Sequence, residues 1–205
     1  FQYVANPTIT GAKDLIITIP GSGSIRVVDI IHKNFAPILN FADGSVKNFT
    51  DVNYKIYGGM GTAGDDELYG TSAGVVLKGF AGNDSLTGGI GNDTIYGGDG
   101  NDNISGEAGN DKLYGENGND FINGGDGADI IDGGAGSDTV SYYETAAVNV
   151  NLSLTTAQSG GAAQGDILSN IENIVGSLNS DTLIGNSGDN VIEGRSGLDK
   201  IDGSA

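Results

Sequence analysis

Aspartate recurs every nine residues along the middle of the chain, at a spacing that could organise cation chemistry. Nine consecutive nonapeptides align between Gly61 and Ser141, and aspartate holds the sixth place in all but one, where Val75 stands. A carboxylate offers hard oxygen ligands, and closely spaced carboxylates repel one another unless a cation neutralises them. The sixth-place aspartates are Asp66, Asp84, Asp93, Asp102, Asp111, Asp120, Asp129 and Asp138.

Other places of the nonapeptide predict the elements that would hold these carboxylates. Glycine opens every unit, and an aliphatic residue holds every eighth place, from Leu68 to Val140. A short fixed period is typical of a solenoid, in which each unit buries its apolar face against its neighbours. We predict a six-residue loop and a three-residue strand per unit, with the eighth side chain inward and the seventh and ninth outward. Glycines at places one and four are expected to adopt backbone conformations closed to other residues.

Two nonapeptides make one 18-residue coil in this prediction, so each unit stacks on the unit two further on. Strand spacing of about 4.8 Å then places the aspartates in two ladders. Carboxylates about 5 Å apart repel by about 0.8 kcal/mol even in water, and the sum would rival a domain stability of about 5–15 kcal/mol. Oxygen-only ligands, partly backbone carbonyls, describe Ca²⁺ better than Mg²⁺ or Zn²⁺. We predict Ca²⁺ between successive loops, with metal-free solvated turns as the alternative.

Composition narrows the class of protein. The 205 residues carry 27 acidic and nine basic side chains, a net charge of −18, which excludes a basic nucleic-acid-binding surface. There is no cysteine, so no disulfide can crosslink the fold, and in a secreted protein a metal can replace that crosslink. No apolar run approaches the roughly 18 residues of a membrane span. The 37 glycines are also typical of disordered chains. Because the period is strict, we expect disorder only in the absence of calcium.

Residues 1–60 lack the repeat and predict a small β-hairpin cap. Runs 15–19 and 25–31 are β-rich and flank a turn, and a second hairpin is predicted from 38–41 to 46–49. An open solenoid end exposes apolar surface and strand edges, so we expect these hairpins to cover it. The small core of this cap is expected to contain Phe35, Phe41 and Phe49.

No feature of the sequence predicts catalysis. The only histidine is His32, which leaves no second histidine for a zinc site, and no nucleophile-elbow motif is present. The chain starts at Phe1 and its only methionine is Met60. We therefore expect a non-catalytic, processed or excised piece of a longer protein.

The repeat lapses over residues 142–175. Alternating apolar residues from Val148 to Leu154 predict a strand. We expect the insert to continue the roll, with a wide loop that projects from it. Asp166 and Glu172 are interpreted as solvated polar positions, with cation binding as the alternative.

Three more nonapeptides form a second block within residues 176–205. Their sixth places hold Asp181, Asn190 and Asp199. The register is reset after Ser141, where we predict that metal is missing. One further site is predicted between Asp181 and Asp199.

The units match G-G-x-G-x-D-x-U-x and resemble the haemolysin-type calcium-binding (RTX) repeat over residues 61–141 and 176–202. Residues 14–56, with the F-A-D-G-S turn, resemble the haemolysin-type calcium-binding-related domain often found beside such repeats. The resemblance implies an all-β fold, a right-handed parallel β-roll (β-solenoid) with the hairpin cap. The domains predicted are 1–60 (cap), 61–141 (roll), 142–175 (insert) and 176–205 (second block).

The resemblance also implies a ligand set for each ion. Carbonyls two and four and side chain six of one unit meet carbonyls one and three and side chain six of the unit two further on. Five sites follow: Phe80, Gly82 and Asp84 with Gly97, Asp99 and Asp102; Gly89, Gly91 and Asp93 with Gly106, Ala108 and Asp111; Gly98, Gly100 and Asp102 with Gly115, Asn117 and Asp120; Glu107, Gly109 and Asp111 with Gly124, Asp126 and Asp129; Glu116, Gly118 and Asp120 with Gly133, Ala135 and Asp138.

Further sites are expected at the ends of the array, giving about five to seven calcium ions. One lies between Asp66 and Asp84, and another is the Asp181–Asp199 site. Unit 70–78 has Ala73 for glycine and Val75 for aspartate, so its site with Asp93 is expected to be missing.

The function implied by the resemblance is a calcium-binding module that folds on Ca²⁺ binding outside the cell. It would be a monomeric part of a larger, type I-secreted bacterial protein, located extracellularly or at the cell surface. One alternative is an adhesive or polysaccharide-binding module, because Tyr96 and Tyr114 are 18 residues apart and could stack a sugar; ordinary cross-strand packing is the simpler interpretation. Another is the non-catalytic C-terminal part of a secreted protease, lipase or alginate epimerase.

Overall fold

The computed structural model describes residues 15–19, 23–27, 38–40, 46–48, 55–57, 59–70, 74–143 and 146–204. The chain divides into two compact units, residues 1–51 and 52–205. The first unit contains two antiparallel hairpins, and both were predicted. They are formed by β1 (Leu15–Ile19) with β2 (Gly23–Val27), and by β3 (Ile38–Asn40) with β4 (Val46–Asn48). Their role as a cap stays a prediction, and His32, Phe35, Phe41 and Phe49 lie outside the described residues.

The second unit is a β-solenoid built on two long parallel sheets. In order of position within the sheet, the first contains β17 (Ile167–Ser169), β14 (Ile130–Ala135), β12 (Lys112–Asn117), β10 (Thr94–Asp99), β8 (Val76–Ala81) and β6 (Gly59–Met60). The second contains β20 (Ile192–Glu193), β18 (Asn173–Val175), β15 (Thr139–Ser141), β13 (Phe121–Asn123), β11 (Asn103–Ala108), β9 (Ser85–Ile90), β7 (Glu67–Tyr69) and β5 (Lys55–Tyr57). The all-β parallel roll is confirmed.

Strand registers confirm that each unit stacks on the unit two further on. Ile95 pairs with Leu77 on one side and with Leu113 on the other, and both are 18 residues away. The eighth-place side chains therefore form two inward rows, and all nine are completely buried: Leu68, Leu77, Leu86, Ile95, Ile104, Leu113, Ile122, Ile131 and Val140. Burying one such side chain contributes about 1.5–3 kcal/mol.

The insert continues the roll, as predicted. Strand β17 pairs with β14 and β18 pairs with β15, so both sheets pass through the register reset without a break. A third parallel sheet contains β16 (Asn149–Asn151), β19 (Thr182–Ile184) and β21 (Lys200–Asp202). The strand predicted from Val148 to Leu154 was too long, because β16 ends at Asn151, the chain turns, and Leu154 is 43% exposed. One short 3-10 helix, Gly161–Ala163, lies in the wide loop.

The division of each unit into a six-residue loop and a three-residue strand was wrong for much of the array. Strands such as β10 have six residues and include the first three places of the following unit. The reason is that the loop backbone also pairs with the next coil: Gly98 pairs with Phe80 and Asp99 with Ala81. Only places four to six remain as a tight turn, and this turn ends on the aspartate.

Candidate metal centres

The sixth-place aspartates form two hydrogen-bonded ladders inside the roll. In six steps of the array, the backbone N–H of one aspartate donates to the Oδ1 atom of the aspartate 18 residues later; Asp84 to Asp102, for example, is 2.8 Å. The same bond joins Asp66 to Asp84, Asp93 to Asp111, Asp102 to Asp120, Asp111 to Asp129 and Asp120 to Asp138, at 2.7–2.8 Å. One oxygen of each carboxylate is therefore satisfied by the preceding coil.

The second oxygen, Oδ2, is buried without a hydrogen-bond partner in seven of these aspartates. These side chains are at most 2% exposed. Leaving one buried acceptor unsatisfied costs about 1–3 kcal/mol, and more when the group is charged. Seven such groups rival the stability of a whole domain. The seven are Asp84, Asp93, Asp102, Asp111, Asp120, Asp129 and Asp138.

Each unpartnered oxygen faces the first-place glycine of its own unit, and in five of the seven a first-place carbonyl from the next coil also arrives at that glycine. A β-carbon on Gly79 would overlap both Asp84 Oδ2 and the Gly97 carbonyl oxygen. This corrects our prediction for the first place, whose glycines do not have positive φ; a side chain there would fill the space between the two oxygens. The same convergence occurs at Gly88, Gly97, Gly106 and Gly115, with the carbonyls of Gly106, Gly115, Gly124 and Gly133.

In each pair of stacked loops, the lower loop is the one earlier in the chain. Two further carbonyls of this lower loop point toward the upper loop. The carbonyl oxygens of Phe80 and Gly82 lie directly beneath Gly98 and Gly100, where β-carbons would overlap them. Gly98 and Gly100 also have φ of 123° and 134°, a region that favours glycine. The left-handed positions of the loop are therefore places two and four. Phe80 adopts φ of 83° at place two despite its side chain.

The third-place carbonyls are already engaged in the backbone. Gly82 N–H donates to the Asp99 carbonyl at 2.8 Å, and the Ala108, Asn117, Asp126 and Ala135 carbonyls accept from the corresponding fourth-place glycines at 2.6–2.9 Å. A carbonyl oxygen has two lone pairs, so each keeps one for another partner. The structure thus places the predicted ligand carbonyls of each step on the facing loops of two stacked coils.

A fifth-place ladder was missed by the sequence reasoning. Asn101 N–H donates to Asn83 Oδ1 at 2.8 Å, and Asn119 N–H to Asn101 Oδ1 at 2.7 Å. These side chains accept from the coil after them, whereas the aspartates accept from the coil before them. Each turn is therefore fixed from both sides. The recurrence of asparagine at place five was the available signal.

Burial changes the acid–base behaviour of the ladder aspartates. It raises the pKa of Asp84 to about 7 and the pKa values of Asp111 and Asp120 to about 6; backbone hydrogen bonds partly oppose the rise, and neighbouring carboxylates add to it. The pKa values of Asp102, Asp129 and Asp138 are also raised by burial. The ionised form of these aspartates is therefore unfavourable in their buried positions.

Unit 70–78 lacks the carboxylate, and an apolar group takes its position. At Gly70 a β-carbon would meet the Val75 Cγ2 atom and the Gly88 carbonyl oxygen, where other units present Oδ2. Residues 71–73, including Ala73, lie outside the described residues. Val75 N–H still donates to Asp93 Oδ1 at 2.7 Å, so the stacking survives without the oxygen.

Asp66 and Asp181 differ from the seven because their Oδ2 atoms accept hydrogen bonds from the second place of their own units. Thr62 N–H donates to Asp66 at 2.5 Å, and Ser177 N–H donates to Asp181 at 2.7 Å. Neither Thr62 nor Ser177 has positive φ, whereas every unit with an unpartnered Oδ2 has a left-handed second place. Backbone conformation at place two thus separates the two kinds of loop.

The Asp181–Asp199 pair is brought together by the same ladder bond. Asp181 N–H donates to Asp199 Oδ1 at 3.0 Å. Asp199 is only half-buried, because it lies near the end of the described roll.

The insert extends both ladders with residues outside the repeat. Asp129 N–H donates to Asp166 Oδ1 at 2.9 Å, and Asp138 N–H donates to Glu172 Oε2 at 2.8 Å. Asp166 is completely buried, so its interpretation as a solvated residue was wrong. Its Oδ2 accepts a 3.0 Å hydrogen bond from the Tyr142 hydroxyl. Burial raises the pKa of Asp166 to about 7.

The outer tyrosines pack against each other. The Tyr96 and Tyr114 rings stack with centroids 5.0 Å apart and an interplanar angle of 11°. Lys78 Nζ lies 4.8 Å from the Tyr96 centroid. Both faces of Tyr96 are therefore in contact with neighbours on the sheet, as cross-strand packing requires.

The donors fit a hard divalent cation. Within the described ranges, no three His, Cys, Asp or Glu side chains cluster as a metal site, which follows from a donor set that is mostly backbone carbonyl. Carboxylate and carbonyl oxygens are the ligands that Ca²⁺ takes. A cation in each gap would give the unpartnered Oδ2 its missing partner.

Comparison with known families agrees with this chemistry. The RTX calcium-binding nonapeptide repeat model matches residues 60–95, 78–113, 105–140 and 175–205, which together cover more than half of the chain. A comparison with curated proteins finds no match. In the part of the chain that the structure describes, no helix is long and apolar enough to cross a membrane. These nonapeptides bind calcium, and the chain belongs to the RTX calcium-binding nonapeptide repeat family.

Proposed function

We propose that calcium binding drives the folding of this roll, and that folding takes place outside the cell. The observation that carries the proposal is the set of seven buried carboxylate oxygens without hydrogen-bond partners. An isolated buried anion is among the most unfavourable groups in a protein interior. A ligand that binds only the folded state adds its binding free energy to the free energy of unfolding.

Five ions are proposed between successive loops of the array. Each would take Oδ2 of the lower aspartate, carbonyls two and four of the lower loop, and carbonyls one and three and the aspartate of the upper loop. The lower aspartates of the five steps are Asp84, Asp93, Asp102, Asp111 and Asp120. All five also have the converging first-place carbonyl.

The sites at Asp66 and Asp181 are proposed to be weaker. Their Oδ2 atoms already accept from Thr62 and Ser177, so binding an ion would first require those hydrogen bonds to break. With Val75 in place of aspartate, we propose no ion between unit 70–78 and Asp93.

The cellular role follows from the dependence on calcium. RTX proteins are typically secreted by bacteria, and a chain with 27 acidic residues would stay unfolded where calcium is scarce. We therefore assign this chain a structural, non-catalytic role as a folding module within a larger type I-secreted protein. The contacts of Tyr96 and Tyr114 with their neighbours do not favour a sugar-binding function.

Far-ultraviolet circular dichroism during calcium titration tests the proposal. The chelated protein at pH 7.5 should lack the β signal, calcium should restore it cooperatively, and the same concentration of Mg²⁺ should not, because Mg²⁺ requires a smaller and more regular octahedron. A strand signal that is unchanged after complete calcium removal would contradict the proposal.

A further inference from the structure

The junction between the array and the insert contains a loop that replaces a repeat loop with fewer residues. Asp132 pairs with Ser169, and Thr139 pairs with Asn173. Residues 170–172 therefore stack on residues 133–138. The shorter loop does not match the nonapeptide pattern, which is why the sequence predicted a loss of metal here.

The lower side of this junction has every feature of an array site. Asp138 is completely buried and its Oδ2 atom has no hydrogen-bond partner. The second place of its unit, Gly134, has φ of 101°, and the fourth, Gly136, has φ of 150°. This is the conformation shared by all units with an unpartnered carboxylate.

The upper side supplies the same two donor types from different residues. A β-carbon on Gly133 would overlap the Asn170 carbonyl oxygen and lie close to Asp138 Oδ2. The Asn170 carbonyl thus takes the position of a first-place carbonyl. Asn170 has φ of 49°, a conformation that asparagine tolerates better than most residues.

Glu172 takes the position of the sixth-place aspartate. Its Oε2 atom accepts the Asp138 N–H at 2.8 Å, which is the ladder bond of the array. Its side chain is one methylene longer than that of aspartate, and the loop that carries it is three residues shorter. The longer side chain offsets the shorter loop.

At the neighbouring junction, the insert carboxylate that extends the other ladder has a hydrogen-bond partner for its second oxygen. Tyr142 follows Ser141 at the position of a first-place residue, and its buried hydroxyl donates to Asp166 Oδ2 at 3.0 Å. Asp166 Oδ2 is therefore satisfied by a hydroxyl hydrogen, whereas Asp129 Oδ2 in the coil before it has no hydrogen-bond partner. At Gly133, by contrast, a β-carbon would lie 2.1 Å from the Asn170 carbonyl oxygen and 2.6 Å from Asp138 Oδ2, so both oxygens face the same space.

We propose that a further Ca²⁺ binds at this junction, held by Asp138 Oδ2, the Asn170 carbonyl and the Glu172 carboxylate. This inference rests on the proposed function and extends it beyond the nonapeptide motif. The missing third-place carbonyl leaves room for water, which often completes the coordination of calcium. The ion joins the array to the insert, so that calcium binding extends past the register reset.

Calcium stoichiometry in Glu172→Gln tests the site. Glutamine keeps an oxygen for the Asp138 N–H but removes the charge. Equilibrium dialysis at saturating calcium should show one ion fewer per chain than the wild type, with the β signal retained. The matched control is Glu193→Gln, whose side chain is 58% exposed and pairs with Arg195 outside the ladders. It should bind the wild-type number of ions.

The outcomes separate this site from the proposed function. An unchanged stoichiometry in Glu172→Gln overturns the junction site and leaves the array sites intact, whereas a wild type that binds no calcium overturns both. If Glu172→Gln does not fold, the anomalous signal of calcium in wild-type crystals decides. A peak about 2.3–2.6 Å from Asp138 Oδ2 and the Asn170 carbonyl supports the site. Water at that position, beside filled array sites, overturns it.

Discussion

Seven loops of the array at residues 61–141 and the first two loops of the second block, residues 176–193, share one nonapeptide pattern but treat the sixth-place oxygen differently. The Asp66 loop of the array resembles those two loops, whereas the last loop of the second block has a left-handed Arg195 at place two, as the array loops do. In the array, Asp102 has a buried Oδ2 without a partner. In the second block, Ser177 N–H donates to Asp181 Oδ2, and Asn186 N–H donates to Asn190 Oδ1. The first kind of loop needs an ion to complete it, whereas the second is completed by its own backbone.

The cause of the difference lies at place two. Gly98, at place two of its unit, has φ of 123°. Ser177 and Asn186, also at place two, do not have positive φ, and their N–H groups donate to the sixth side chain. An aspartate at place six is therefore insufficient for a site of the array type. The backbone that surrounds it decides whether the carboxylate remains available.

The largest expected effect is a pH dependence of the metal-free array. The folded pKa of Asp84 is about 7 and those of Asp111 and Asp120 are about 6, against an ordinary value of 3.8. The folded chain therefore holds more protons than the unfolded chain between these values. Its free energy of unfolding is highest near pH 4 and falls as pH rises to 7, by an amount on the order of several kcal/mol.

Circular dichroism in the presence of a chelator, from pH 4 to pH 8, measures this effect as a β signal that is strongest near pH 4 and is lost as the pH rises. The calcium-loaded protein is the control and should show the opposite trend, because protons compete with calcium for the same oxygens. A chelated protein whose stability rises with pH over this range would contradict the buried, unpartnered state of the carboxylates.

The next effect compares one glycine position in the two regions. Gly100 and Gly188 both hold place four. An alanine β-carbon at Gly100, with φ of 134°, would overlap the Gly82 carbonyl, whereas at Gly188 the nearest atom is Asn186 Oδ1 at 3.2 Å. We expect Gly100→Ala to lower the free energy of unfolding in calcium by about 3 kcal/mol or more, and Gly188→Ala by less than about 1 kcal/mol.

Urea denaturation of both variants at saturating calcium checks this prediction. Equal losses would show that the two loops have similar constraints, and the distinction between the regions would fail.

These comparisons show what the sequence could and could not predict. The inward eighth residue and the two aspartate ladders were predicted because their period is strict and strands impose a fixed stacking distance. The left-handed second place was not predicted, because Phe80, Glu107 and Gly98 share that conformation despite different side chains. The roles of Asp166 and Glu172 were hidden by the insert, whose changed length removes the period that would align them.

Replacing a sixth-place aspartate of the array should change the free energy of unfolding in opposite directions with and without calcium. Asp102→Asn removes a buried charge and places an amide donor near the Gly115 carbonyl. We expect it to raise the free energy of unfolding in chelator by about 1–3 kcal/mol and to lower it in calcium. Thermal unfolding in calcium at pH 7.5 measures the loss. Folding induced by a stabilising osmolyte in chelator at the same pH measures the gain, because the chelated chain is expected to be unfolded there.

Asn190→Asp is the reciprocal change. Asn190 Nδ2 donates to the Glu172 carbonyl at 2.8 Å and to Asn186 Oδ1 at 3.0 Å. Aspartate would lose both donations and place a charge against two acceptors, so we expect a loss of about 1–3 kcal/mol in chelator. Stabilisation by Asn190→Asp without calcium would contradict the view that this loop is complete on its own.

The smallest expected effect converts a second-block loop toward the array type. Ser177→Gly removes the 2.8 Å hydrogen bond from Ser177 Oγ to Asp181 Oδ1 and permits a left-handed second place. We expect a loss of about 1 kcal/mol in chelator, together with tighter calcium binding at the Asp181–Asp199 step, because Oδ2 becomes available to an ion. Ser177→Ala is the matched control: it removes the same hydroxyl but disfavours positive φ, so it should lose similar stability without gaining calcium affinity. Isothermal titration calorimetry of the two variants measures the difference, and equal affinities would show that place two does not control the site.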